Sequence, residues 1–575
     1  MYVETVPNRN SPPAILLRQA TREAKRVRKR TLANLTHWPA AKIEALRALL
    51  RDEPMAPARE CFSITRSLPH GHVEAVLRTI RRLGLDALIA SKRSRQRDLV
   101  VAMIVERLVH PCSKLATTRL WHTTTLAEEL SVGDADVDEL YDALDWLLER
   151  QGQIEAKLAR RHLAEGGQVL YDITSSSYEG HTCPLVRYGH NRDGDGLPII
   201  VYGVLTSGEG VAVAVEVYPG NTGDPATVGD QVEKLRGRFA LERVVLVGDR
   251  GMLTRARIAE LRTHPQLGWI SALRSGEIRA LVEAGPLQMS LFDEQNLAEI
   301  SAPEEYPGER LVACYNPELA EERRRKRAEL IEATEKDLTR IAAEVARRKR
   351  KPLGKDAIGM KVGRVLGRRK MAKHFRLAIG EGSFSWSRDA QSIARETALD
   401  GIYVIRTSEP SERLSAADAV RGYKSLSQVE RAFRTLKGID LLVRPIRHRT
   451  EDHVRAHVLL CLLAYYVEWH MRRALAPLLF DDEDLPAARL RRDPVAPAEP
   501  SASAKRKKAT RRSADGLEVQ SFETLLAQLG TRCRNECRIK SDPHSPAFTE
   551  VTQTTPLQDK ALELLQGIVV PSNGK

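Results

Sequence analysis

The chain has 575 residues, with 90 Lys and Arg against 76 Asp and Glu, a formal net charge of +14. That length exceeds one compact domain and predicts three or more, and the basic excess suits a polyanionic partner. No apolar run reaches the roughly 18 residues of a membrane span, residues 1–13 lack the charged-then-apolar pattern of a secretory signal, and seven scattered Cys fit a reducing, cytoplasmic setting.

Residues 14 to about 165 are expected to be mostly helical, because Val73–Leu83, Arg97–Val109 and Val137–Leu163 space their apolar residues by three and four. Residues 1–165 are therefore read as a helical DNA-binding or dimerisation region, with Arg and Lys on the polar faces. The pattern changes at Gln168, where Gln168–Ser175 is a short apolar, β-branched run. Leu197–Thr206 and Val211–Tyr218, joined by Ser207-Gly-Glu-Gly210, predict a hairpin. Pro225–Phe239 predicts a helix, Arg243–Asp249 a buried strand, Thr254–Thr263 a helix and Gly268–Leu273 a strand. The order over 166–274 is thus three strands, helix, strand, helix, strand.

Residues 275–398 interrupt this pattern with a charged segment, Pro317–Arg350, that reads as a solvated helical hairpin or coiled coil. Its basic continuation, Lys351–Arg376, is a candidate for phosphate contact. The core resumes over 399–487, with a strand at Gly401–Thr407, one helix over Tyr423–Lys437 and an apolar helix over Val454–Leu475. Residues 488–516, which include Lys505-Arg-Lys-Lys508, read as a basic disordered linker, and 517–575 as a small tail module. Gly194-Asp-Gly196 reads as a turn rather than a phosphate loop. Cys533 and Cys537 with His544 beyond make too small a set for a zinc site.

Three carboxylates stand out. Asp172 and Asp249 each end an apolar strand, where a turn or helix cap is the ordinary use of an Asp. Glu430 lies on the Tyr423–Lys437 segment. At 100° per residue, Tyr423, Glu430, Arg434 and Lys437 fall within a sector of about 60°, beside an apolar stripe of Leu426, Val429, Phe433 and Leu436. Neighbouring strands would set the two Asp side by side, and a packed helix would add the Glu. Three such carboxylates repel unless cations lie between them. A pair of Mg²⁺ ions removes that repulsion and serves phosphodiester chemistry. Oxygen ligands alone favour Mg²⁺ or Mn²⁺ over zinc.

These residues resemble those of bacterial insertion-sequence transposases of the DDE type. The narrower likeness is to the group whose signature is Tyr, two residues, Arg, three residues, Glu, six residues, Lys. Tyr423, Glu430 and Lys437 match it, and Leu426 stands where Arg is usual. The flanking segments Tyr171-Asp-Ile-Thr-Ser175, Glu216-Val-Tyr-Pro-Gly-Asn-Thr222, Val247-Gly-Asp-Arg-Gly-Met252 and Asp400–Thr407 are also similar, as are Leu68-Pro-His-Gly-His72 and Pro111–Ala116. The likeness covers most of residues 60–480.

What the resemblance implies is an α/β, RNase H-like catalytic core, a mixed five-stranded sheet flanked by helices, with a large insertion before the Glu helix. By analogy Asp172, Asp249 and Glu430 are catalytic and hold two Mg²⁺ ions, for which Mn²⁺ can substitute. Tyr423 and Lys437 would contact DNA phosphates, with Arg431 or Arg434 replacing the missing Arg. Trp386, inside the insertion, is a candidate for stabilising a flipped base, against the simpler reading of core packing. The partners implied are double-stranded DNA, both element ends and target, and further copies of the chain in a homodimer or higher synaptic complex. The setting implied is bacterial and nucleoid-associated. The expected reaction is cleavage at terminal inverted repeats followed by strand transfer. The competing readings are a metal-dependent nuclease on the same fold without strand transfer, and a DNA-binding protein that has lost catalysis.

Overall fold

The computed structural model describes residues 1–569 except 10, 24–25, 54–60, 265, 289–291, 294, 303, 439, 486, 489–491, 541–543 and 545. The chain opens with an antiparallel sheet of β1 (Tyr2–Val6), β2 (Ala14–Glu23) and β3 (Arg26–Asn34), followed by α1 (Ala40–Leu50) and β4 (Phe62–Pro69). This corrects the helical reading of residues 14–34. Arg and Lys are good helix formers, but Ile15, Thr21, Val27 and Thr31 are β-branched, and the two strands pair along their length.

Helices then follow as expected: α2 (Gly71–Leu83), α3 (Leu85–Ile89), α4 (Arg95–Val109), α5 (Lys114–Leu120), α6 (Leu126–Leu130), α7 (Val137–Leu148) and α8 (Gln151–His162). Three of them begin on side-chain caps. Ser94, Ser113 and Asp136 accept backbone N–H groups of α4, α5 and α7, satisfying donors that the first turn leaves free.

The central sheet begins with β5 (Gln168–Ser177), β6 (Ile199–Ser207) and β7 (Ala212–Pro219). After α9 (Val228–Glu233) come β8 (Val244–Val247), α10 (Arg255–Leu261) and β9 (Leu267–Ala272). The predicted order of elements in this stretch is the observed one. β6, β8 and β9 are buried along their whole length, which is why they read as unbroken apolar runs rather than alternating ones.

The 275–398 segment supplies α11 (Ser275–Ala284), β10 (Leu297–Ile300), β11 (Arg310–Tyr315), α12 (Pro317–Arg347), α13 (Lys355–Arg369), β12 (Phe375–Gly380), β13 (Ser383–Arg388) and α14 (Ala390–Thr397). Next come β14 (Ile402–Thr407), α15 (Ala416–Lys424), α16 (Ser427–Lys437) and α17 (Glu451–Leu475). The sheet has eight strands, in the order β10-β11-β14-β9-β8-β5-β6-β7, where the resemblance implied five. The difference arises because β14 pairs antiparallel with β9, and β11 and β10 continue that edge. Only β5, β8 and β9 run parallel.

The interruption is therefore partly woven into the core. Its remainder, α12, α13 and the β12–β13 hairpin, packs around its own apolar cluster of Ile331, Leu338, Ile341, Ile358, Val362 and Leu366. Arg327 of α12, itself buried, ties this unit down through Asp400 (Nη1 to Oδ1 2.9 Å) at the approach to β14.

α17 is apolar on nearly all sides, as its sequence predicts for a buried helix, and packs on β7, α4 and α7. The segment read as a disordered linker contains α18 (Ala502–Thr510), which is capped by Ser501. Lys507 on this helix is fully buried and donates to the carbonyls of Ala476 and Asp481 (both 2.7 Å). A low-complexity composition misleads here because one lysine, satisfied by carbonyls, anchors the helix.

The tail is no separate module. α19 (Phe522–Gly530), β15 (Cys533–Ile539), β16 (Phe548–Val551) and α20 (Pro556–Gln566) return to the N-terminal region. β15 pairs with β4 from Cys533↔Pro69 to Ile539↔Phe62, and α19 and α20 pack on α2. Gly71 lets this happen: a Cβ there would lie 2.3 Å from the Leu529 carbonyl oxygen and 2.9 Å from Arg532 Cβ. Gly71→Ala is expected to destabilise the protein by about 1–3 kcal/mol. The check is thermal unfolding with limited proteolysis, in which the tail after residue 530 should become the first site cut.

Candidate functional site

The two aspartates meet through strand register. β5 and β8 pair in parallel as Gln168↔Val245, Val169↔Leu246 and Leu170↔Val247; Asp172 lies two residues further along β5, Asp249 lies two residues past the end of β8, and the charge of Asp249 bears on Asp172. Neighbouring strands lie about 4.8 Å apart, and residues in register point to the same face. Asp172 Oδ1 accepts the Ile173 N–H at 2.8 Å. Asp249 Oδ1 accepts the N–H groups of Gly251 (3.0 Å) and Met252 (2.7 Å), closing the turn after β8. The turn role expected of a lone Asp is thus real, but it uses one oxygen. Among the described residues, Asp249 Oδ2 has no hydrogen-bond partner.

The segment Tyr423–Lys437, expected as one helix, is two. α15 ends at Lys424 and α16 starts at Ser427, with Leu426 at its N-cap position. Tyr423 therefore occupies the last turn of α15, and only Glu430, Arg434 and Lys437 share α16. The break lets both helices pack. Leu426, Val429, Phe433 and Leu436 are buried as the apolar stripe predicts, with the Phe433 ring edge-on to Tyr202 of β6 (6.0 Å between centroids, 78°). Gly422 allows α15 to lie close on the sheet: a Cβ there would be 2.9 Å from the Gln168 side chain and 3.0 Å from Ile270 Cδ1.

The electrostatics show the three carboxylates gathered round one phenol. Tyr423 is half-buried, and burial raises its pKa first; Asp249, Asp172 and Glu430 each raise it further, against Arg250. Burial pushes Asp172 up to about 7, aided by the charges of Asp249 and Asp224 and opposed by the Ile173 N–H and by Arg192. The Glu430 carboxylate is exposed and, among the described residues, unpaired. Among those residues no three His, Cys, Asp or Glu side chains, these three carboxylates included, come together as a group that could hold a metal ion.

The expected phosphate contacts fall differently. Lys437 is largely buried and donates to the Ser175 carbonyl and to Asp193 Oδ1 (3.1 Å), and burial lowers its pKa against the pull of Asp193. Arg444 takes the other Asp193 oxygen at 2.7 Å. Arg431 turns away to Asp481 (3.1 Å). Arg434 is exposed and, among the described residues, has no ion pair. Trp386 sits on β13 with its edge towards Phe375 (5.7 Å, 75°), in the cluster between α12 and α13, as the packing reading expects.

Sequence reasoning missed Asp193, Arg192 and Asp224. Arg192 pairs with Asp224 at 3.0 Å, while Asp193 lies in the β5–β6 loop that turns through Gly194 and Gly196, both at φ +74°. The two glycines predicted that turn, but nothing local predicted that Asp193 would reach a lysine on a helix hundreds of residues away.

A mixed α/β sheet with one acid inside β5, a second two residues beyond the end of the neighbouring parallel strand β8, and a third on a covering helix is an arrangement seen in proteins that process phosphodiesters. Residues 171–467, just over half of the chain, match the family model described as a transposase DDE domain. The match starts one residue before Asp172 and ends inside α17, so it spans all three carboxylates. The chain belongs to the DDE transposases, a family of polynucleotidyl transferases that act on DNA and are generally dependent on a divalent metal. A comparison with curated proteins finds no match. Among the described residues no helix is long and apolar enough to cross a membrane.

The raised pKa of Asp172 has a measurable sign. In the fold Asp172 keeps its proton over pH values where the unfolded chain has lost it, between about 4 and about 7. Its contribution to stability is complete below that window and is lost as pH rises through it. In metal-free protein, urea midpoints should fall from pH 4 to 8 more steeply for the wild type than for Asp172→Asn. Parallel curves would show that Asp172 is ionised throughout.

Proposed function

We propose that this chain is an insertion-sequence transposase that binds the terminal inverted repeats of its own element, cleaves there and joins the freed ends to target DNA. The observation carrying this is that the charges of Asp249, Asp172 and Glu430, from the turn after β8, β5 and α16, all bear on the phenol of Tyr423. In this reading the strands β7-β6-β5-β8-β9 are an RNase H-like core. The chain would fall in the Tyr-(2)-Arg-(3)-Glu-(6)-Lys group, with Leu426 in the Arg position, where it is buried and makes no polar contact.

The donor set fits a hard divalent cation: all ligands are carboxylate oxygens, one on Asp249 is unengaged, and Glu430 is unpaired. Asp172, Asp249 and Glu430 would hold Mg²⁺, or Mn²⁺ in its place, which when bound supplies activation of the attacking oxygen and neutralises charge at the phosphate. Asp172 would have to give up the proton that burial favours in order to serve as a ligand. Tyr423, with its phenol held protonated, donates to a phosphate oxygen and is no nucleophile. Lys437 and the exposed Arg434 hold the flanking phosphates as point and fork donors, and Arg431 follows if Asp481 releases it. Pairing two ends requires two or more copies of the chain.

The test uses purified protein, labelled DNA bearing the element's terminus and a target plasmid, with Mg²⁺ or Mn²⁺. Wild-type protein is expected to cut at the terminus and join it. Asp172→Ala, Asp249→Ala and Glu430→Ala should each reduce both products to background while still binding the DNA. Cutting without joining would overturn the strand-transfer assignment in favour of a nuclease, and products that survive all three substitutions would sink the carboxylate site. Separately, Lys437→Gln should weaken binding to the terminus and lower the slope of log affinity against log salt by about 1.

A further inference from the structure

The N-terminal sheet has a property that neither the core nor the site explains. All nine residues of β3 are exposed. It forms one edge of its sheet, and Val27 and Leu32 stand open to solvent. The strand therefore contributes nothing to a core. Over residues 1–34 there are eight Lys and Arg and two Glu, so this short stretch supplies much of the chain's positive excess.

The pairing Gln19↔Arg30, Thr21↔Arg28 and Glu23↔Arg26 sets Arg26, Arg28 and Arg30 on one face. Alternate residues of a strand are about 6.8 Å apart, so the three guanidinium groups form a regular row. On the opposite face Glu4 takes Arg18 (2.9 Å) and Lys29 (3.2 Å). Among the described residues, Arg26 and Arg30 make no ion pair.

We infer that the β2–β3 ribbon is a DNA-contacting element, laid along the duplex with the Arg26–Arg30 row on its phosphates. Its partner is double-stranded DNA, so the inference rests on the transposase reading, but it concerns a surface built from other residues. A two-stranded antiparallel ribbon fits the major groove, which is about 12 Å wide, and strands serve as DNA-reading elements in several folds. The row supplies the electrostatic part of that binding: guanidinium groups release counterions on meeting phosphates, and across the strand pair three arginines face one acidic position, Glu23 opposite Arg26. Cations on a free edge also deter strand-to-strand aggregation, but that use leaves DNA affinity unchanged, which separates the two.

The experiment measures binding of the full chain to a labelled duplex carrying the element's terminus, without catalytic metal, at about 50 and about 200 mM salt. Each phosphate contact adds about 0.9 to the salt slope. The double variant Arg26→Gln, Arg30→Gln is expected to lower the slope by about 1.8. Over the fourfold rise in salt the wild type would then lose about 12-fold more affinity than the variant. The charge-keeping Arg26→Lys, Arg30→Lys should retain the wild-type slope, which guards against a folding defect. Arg324→Gln with Lys336→Gln, an equal loss of charge on α12, should leave it unchanged.

An unaltered slope in the glutamine variant would overturn the inference while metal-dependent cleavage, still sensitive to Asp249→Ala, kept the transposase reading intact. A lowered slope with no cleavage by the wild type would keep the ribbon and remove the transposase reading. A slope lost equally in the α12 control would reduce the effect to net charge. Preference for RNA over the duplex, abolished in the glutamine variant, would show the partner to be of another class.

Discussion

Everything at this site depends on the parallel register of β5 and β8. That pairing carries Asp172, inside β5, and Asp249, in the turn after β8, close enough for the charge of Asp249 to bear on Asp172. Burial and the neighbouring charges then oppose ionisation of Asp172. A fold pays for such an arrangement only where something else will relieve it. The half-buried phenol of Tyr423 and the open Glu430 complete a patch whose charge is unbalanced by design of the backbone, since the sheet places two of its carboxylates and the broken α15–α16 helix presents the third.

The surroundings are arranged to keep that patch rigid. Phe433 against Tyr202 and the buried stripe of α16 fix the helix carrying Glu430, while the missing side chain at Gly422 sets how closely α15 approaches the sheet. Arg327 and Asp400 anchor the inserted helices next to β14. Cations near the patch are held in reserve rather than free: Lys437 and Arg444 share Asp193, and Arg431 is engaged by Asp481. An incoming phosphate has to compete with these carboxylates for its ligands, so affinity near the site reflects exchange of one anion for another and not simple capture.

Much of this was legible in the residues. The strand and helix order from Gln168 to Leu273, the buried helix at Val454–Leu475 and the charged hairpin after Pro317 all follow from periodicity, because burial on one face or both writes itself into spacing. Asp249 was legible as an acid closing a strand and Leu426 as a packing residue, whereas Asp172, expected at a strand end, lies in the middle of β5, which runs on to Ser177. What escaped had non-local causes. Residues 14–34 became strands because they pair with one another, against the helical preference of their Arg and Lys. The break at Ser425 was masked because the apolar stripe runs through it without a change of phase. Lys507 reads as linker charge and is a buried anchor. Asp193 meets Lys437 only through the tertiary fold, and the extra strands β10 and β11 join the sheet from a segment that reads as an interruption.

The pairing of β4 with β15 bears on how the molecule is made. β4 leaves the ribosome long before its partner strand, which lies beyond residue 532. Until that strand emerges, β4 exposes a hydrogen-bonding edge and α2 lacks the helices that pack on it. The N-terminal region therefore reaches its final form only once β15 has been made, and a product cut short before β15 keeps the carboxylate residues but loses the strand that pairs with β4. Arrival of β15 is thus a checkpoint written into the topology, one that sets a closed N-terminal region apart from an open one.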